Sequence, residues 1–80
     1  MTQRESIRHF QIQFYEGMAK YWRYGHRDHV AALDAVTQAI QSAETLARIY
    51  RQSGSQATME HWIDLVESLD ETRSQIMDYL

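Results

Sequence analysis

The sequence predicts an all-α protein, an antiparallel three-helix bundle, and three observations carry that expectation. Apolar residues recur at three- and four-residue spacing along most of the chain, the period of a helix with one buried face. None of the 80 residues is proline, so no helix is forced to break. Two of the three glycines, Gly25 and Gly54, stand where that apolar period lapses, which divides the chain into three helical stretches of roughly 3–24, 29–52 and 58–79. Short loops between such stretches favour antiparallel neighbours within one domain spanning 1–80. The alternative architecture is a helical hairpin that dimerises into a larger bundle.

Helix 1 opens with Thr2 and Glu5 at capping-box spacing, so hydroxyl and carboxylate are each expected to take one orphan amide. Gly25 is the expected C′ residue at its end. Ile7, Phe10, Phe14, Met18 and Tyr21 form one apolar stripe, and Ile12, Tyr15, Ala19 and Trp22 form a second, roughly 60–140° around the helix at ~100° per residue. Helix 1 therefore has more apolar circumference than one neighbour covers. Gly17 lies inside it, at a cost of ~1 kcal/mol relative to alanine unless another backbone packs closely there.

Helix 2 is the organising element. Asp28 is its expected N-cap. Ala32, Leu33, Val36, Ala39, Ile40, Ala43, Leu46, Ala47 and Tyr50 share roughly one third of the circumference, with Asp34, Thr37, Gln38, Gln41, Glu44, Thr45 and Arg48 opposite. Ala35, Ala39, Ala43 and Ala47 recur every four residues, so a second helix can approach at the near end of the usual ~8–10 Å spacing. The large core side chains must then come from the other two helices.

Ser53, Gly54 and Ser55 end helix 2, and Ser55 or Thr58 is the expected cap of helix 3. Trp62, Leu65, Val66, Leu69, Ile76 and Leu80 make its apolar stripe, while Glu60, Asp64, Glu67 and Glu71 make an acidic face. Arg73 stands within the seam, to be read as a snorkelling side chain or as a contact to a partner's carboxylate.

Composition excludes several function classes. The chain has no cysteine, which removes disulfides, thiolate metal sites and a cysteine nucleophile. No run of about 18 apolar residues suggests a membrane span, and neither a span nor a leader is read from the first residues. A cytoplasmic protein is expected. Net charge is −3, unevenly spread. Residues 1–27 carry Arg4, Arg8, Lys20, Arg23 and Arg27 against Glu5 and Glu16, whereas residues 58–80 carry only Arg73 against Glu60, Asp64, Glu67, Asp70, Glu71 and Asp78. The favoured expectation is attraction between these two thirds within one fold; attraction between protomers, or two separate binding faces, are the alternatives.

No catalytic constellation or phosphate-binding loop can be placed, so no enzyme activity and no cofactor are expected. His26 and His29 beside Asp28 lack a third clear metal ligand, and no metal is expected. His9 with Glu5 is expected to make a surface contact. The densest group of interface-type residues spans 20–29, where Tyr, Trp and Arg interleave, although Tyr21 and Trp22 are also suited to closing the core. The expected function is a non-enzymatic module, a regulator or inhibitor that docks onto another protein or self-associates. Ile12, Tyr15, Trp22, Arg23, Tyr24 and Arg27 are its expected contact residues. Nucleic-acid binding through the basic residues of helix 1 is an alternative that the acidity of the whole chain opposes. A further alternative is mimicry of nucleic acid by Glu60, Asp64, Glu67 and Glu71, whose bland counterpart is a solvated helix face.

Overall fold

A computed structural model describes residues 2–80 as three helices, α1 (Gln3–Tyr24), α2 (His29–Gln52) and α3 (Gln56–Met77). The helix starts follow local chemistry. Thr2 Oγ1 accepts from the Glu5 amide at 3.2 Å, which is the hydroxyl half of the expected capping box. Asp28 Oδ1 accepts from the Ala31 amide at 3.1 Å and caps α2.

Expectations at three helix ends are corrected. Gly25 caps α1 with φ −57°, in the right-handed region, so its glycine character does not serve a left-handed cap. A Cβ there would lie 2.8 Å from the Tyr21 carbonyl oxygen, so crowding is what disfavours a larger residue. Gly54, at φ +83°, does use the freedom of glycine, and the reversal it permits starts α3 at Gln56 rather than at 58. Ser55 is the N-cap, although its side chain makes no capping hydrogen bond. At the other end, the amides of Tyr79 and Leu80 turn to the carbonyls three residues back, Ile76 and Met77. The helix has ended by then, and Leu80 is exposed instead of completing the stripe.

The bundle is arranged around α2, which packs on both other helices, while no Cα atom of α1 lies within 8 Å of one in α3. The Cα envelope measures 39 × 21 × 13 Å, so the cross-section is elongated and the bundle opens along the side between α1 and α3. Being covered on two sides widens the buried arc of α2 to roughly 160° at ~100° per residue. Ser42 and Ala35 are consequently buried together with the expected stripe. Gln38, expected on the solvent side, is half-buried and donates from Nε2 to the Gln13 carbonyl of α1 at 3.0 Å.

Small residues set the α1–α2 distance. A Cβ on Gly17 would stand 2.9 Å from the Ala35 carbonyl oxygen and 3.0 Å from the Ala39 amide nitrogen, which is backbone against backbone. The missing bulk is supplied from the flanks. Phe14 of α1 and Trp62 of α3, each 5% exposed, meet edge to face over the alanines with centroids 5.1 Å apart. Ile7, Phe10, Met18 and Tyr21 pack against the buried core from α1, and Met59, Leu65 and Val66 from α3.

Gly17→Ala tests this close crossing, because two effects of opposite sign meet there. Helix propensity alone would stabilise by about 1 kcal/mol, whereas overpacking costs ~1–3 kcal/mol. Since the obstructing atoms are backbone, the net result expected in urea denaturation is a loss of stability. A gain would show that the helices are not held this close.

Candidate functional site

The outer face of α1 is the surface that the fold leaves uncovered. Arg4, Arg8, Ile12, Tyr15, Ala19 and Trp22 fall within roughly 80° of the helix circumference at ~100° per residue, and all are exposed. Ile12 is 49%, Tyr15 63% and Trp22 68% exposed. They lie outside the arc that packs on α2, which is centred on Gly17, and outside the arc of Phe14 that meets α3. Tyr15 has one aromatic neighbour, Phe14, whose ring it meets edge on at 5.3 Å. The result is an apolar ridge with arginines at its N-terminal end.

The structure does not bring all the expected contact residues together. Ile12, Tyr15 and Trp22 share the ridge, and Arg23 is exposed beside it with its guanidinium carbon 5.9 Å from the Tyr24 ring centroid. Tyr24 itself lies around the other side of the helix, where it lines a small depression with Lys20, Asp34 and Gln38. Arg27 is exposed in the turn between α1 and α2.

Glu60, Asp64, Glu67 and Glu71 are exposed on the outward face of α3. Glu60 accepts a hydrogen bond from the Gln56 side chain at 3.3 Å. The expected attraction between the basic and acidic thirds takes the form of no ion pair within the fold among the described residues. Among the described residues the only ion pair joins Arg73 to Asp70, at 2.9 Å within α3. The physical reason is placement, since the α1 cations and the α3 carboxylates sit on outward faces of helices whose backbones do not meet. Arg73 is thereby also accounted for. It is partly exposed and pairs with a residue of its own helix, a contact typically worth ~1 kcal/mol or less.

The expected contact of His9 with Glu5 is not made. His9 makes no ion pair with Glu5 among the described residues; its ring meets Phe10 edge on at 5.0 Å. His29 stacks on Tyr79 with centroids 5.0 Å apart and an interplanar angle of 8°, which ties the end of the chain to the start of α2. Among the described residues no group of three potential ligands could hold a metal ion, and no helix is long and apolar enough to cross a membrane.

One feature is not evident from periodicity. Between α2 and α3, on the flank away from α1, runs an open groove of about 650 Å³ with Ala47, Met59, Ile63 and Val66 as its apolar lining. Glu67 stands on the α3 wall, and Glu44, Arg48 and Arg51 stand on the α2 wall. Ile63 is 38% exposed within it. The available signal was Ile63 itself, an apolar residue just outside the stripe of Trp62, Leu69 and Ile76.

Comparison of the chain with protein-family models, with curated proteins and with solved structures finds no match. Its function has to be argued from its own surfaces.

If the ridge is surface rather than core, adjacent residues differ sharply in their effect on stability. Phe14→Ala is expected to cost ~3–5 kcal/mol, enough to unfold most of a domain this small. Tyr15→Ala combined with Trp22→Ala removes mainly solvated side chains and one ring edge, for a combined cost of under ~2 kcal/mol. Thermal melts followed by far-UV circular dichroism compare them. A double variant as damaged as Phe14→Ala would place the ridge in the core.

Proposed function

We propose that this protein is a non-enzymatic helical interaction module, a small regulator or inhibitor that binds another protein through the ridge on α1. The observation that supports this reading is the exposure of Ile12, Tyr15 and Trp22 on one face of a helix whose opposite face is packed. Contiguous apolar surface rimmed by charge typically marks an interaction site. Trp, Tyr and Arg are the residues most enriched among energetic anchors of interfaces. Trp22 and Tyr15 serve as those anchors, Ile12 as flanking apolar surface, and Arg4, Arg8 and Arg23 as the charged rim. A cytoplasmic setting is part of this proposal, and a chain without cysteine is compatible with it.

A second reading draws on the same face. Arg4 and Arg8 beside exposed rings suit a single-stranded nucleic acid, whose bases stack while its phosphates are neutralised. The acidic balance of the chain weighs against it.

The test is affinity capture from a nuclease-treated lysate of the source organism, comparing wild type with the folded Tyr15→Ala, Trp22→Ala variant. A protein held by wild type and bound at least ~30-fold more weakly by the variant, which corresponds to ~2 kcal/mol, supports the module. Equal capture by both removes the ridge from the interface. Retention seen only in a parallel capture without nuclease, and falling steeply with salt, supports the second reading instead.

A further inference from the structure

We infer that the groove between α2 and α3 binds a free medium-chain carboxylate, its head group held by Arg51 and its alkyl chain laid along Met59, Ile63 and Val66. This site goes beyond the reading of the α1 ridge and does not depend on it.

The groove carries charges of both signs, and they are sorted along its length. Because α2 and α3 run antiparallel about the turn at Gly54, Arg51 and Met59 stand at the turn end, whereas Glu44 and Glu67 mark the far end. Arg48 lies one turn of α2 back from Arg51. At 1.5 Å per residue, Arg51 and Glu44 are separated by roughly 10 Å along the helix, and the stretch between them is floored by Ala47, Met59, Ile63 and Val66. None of the four charged residues makes an ion pair among the described residues. An alkyl carboxylate therefore fits in one direction, because the reverse would set its head against two carboxylates of like charge.

The turn end also supplies a seat for the head group. A second depression, of about 260 Å³, adjoins the groove there and shares Arg51 and Met59 with it, Gly54 and Gln56 completing the lining. Gln56 turns its side-chain amide to Glu60 at 3.3 Å, which leaves Arg51 as the charged residue of that lining. A guanidinium offers a carboxylate two parallel N–H donors. The start of α3 lies beside it, and since Ser55 makes no side-chain capping bond, the first amides of the helix add to a field that favours an anion.

The floor suits the chain. No aromatic ring lines it, and Met59, unbranched and flexible, adapts to an alkyl chain better than to a planar ligand. At about 650 Å³ the groove falls within the ~300–1,000 Å³ of small-molecule sites.

The test is an NMR titration of methyl-labelled protein with decanoate, decylamine and decanol, each below its micelle concentration. Decanoate is expected to saturate a single site and to shift the methyl signals of Met59, Ile63 and Val66. Decylamine and decanol share the chain but not the carboxylate, so each is expected to bind at least ~10-fold more weakly. Arg51→Glu, a change at an exposed side chain, is expected to weaken decanoate by at least the same factor. Wild-type melting qualifies that variant, and Arg51→Gln replaces it should it fail to fold. Equal affinity for the three compounds overturns the site, as does unchanged affinity in the Arg51 variant. So does the absence of shifts in the groove at millimolar decanoate, or their confinement to Ile12 and its surroundings on the ridge. The groove and the ridge share no residue, so failure here leaves the interaction module standing.

Discussion

The close crossing of α1 and α2 at Gly17 is the constraint on which the rest of the structure depends. With the glycine against the backbone at Ala35 and Ala39, the two helices meet with almost no side chain between them. A four-residue alanine repeat cannot fill a core by itself. It needs bulk from outside, and Phe14 and Trp62 supply it by meeting edge to face above the alanines. That pair joins the flanking helices through side chains, while their backbones stay apart. The open bundle thus follows from small residues at the centre and large ones at the flanks.

This division of labour also explains why α1 has an uncovered face. A helix in a closed three-helix bundle meets two neighbours and buries a broad arc. Here α1 meets α2 through Gly17 and α3 through side chains such as Phe14, and the arc of Tyr15 and Trp22 lies beyond both. Leaving such side chains in water forgoes the ~1.5–3 kcal/mol that burying a large apolar side chain contributes. That stabilisation becomes available when a partner covers the face. The same asymmetry shapes the electrostatics, because cations and carboxylates sit on outward faces that the fold keeps apart.

Much of this was legible in the residues, and the exceptions share a cause. Thr2 and Asp28 act as caps because capping depends on chemistry within one turn of helix. The tight approach at Gly17 was readable because a mid-helix glycine is costly unless something uses the space. Periodicity identified the two apolar stripes of α1, but not which neighbour covers each, since that depends on the angle between helices. For that reason Gln38 turned out half-buried, and the basic and acidic thirds did not pair. Leu80 kept the helical period in sequence after the helix itself had ended at Met77. The groove between α2 and α3 is a property of two helices together, so the periodicity of neither one marks it. Tyr24 is close in sequence to Trp22 and on another side of the helix in space, a distinction that grouping by neighbourhood overlooks.

The central claim is that the ridge of α1 is surface while the flanks of the bundle meet over the alanines. The two tryptophans report on it separately, Trp22 being 68% and Trp62 5% exposed. Acrylamide quenching of the single-tryptophan variants Trp22→Phe and Trp62→Phe, at micromolar concentration, measures each alone. The account predicts a blue-shifted, nearly unquenched Trp62 in the first and a red-shifted, freely quenched Trp22 in the second. Protection of Trp22 at a concentration where the protein is monomeric would contradict it, because the ridge would then belong to the core.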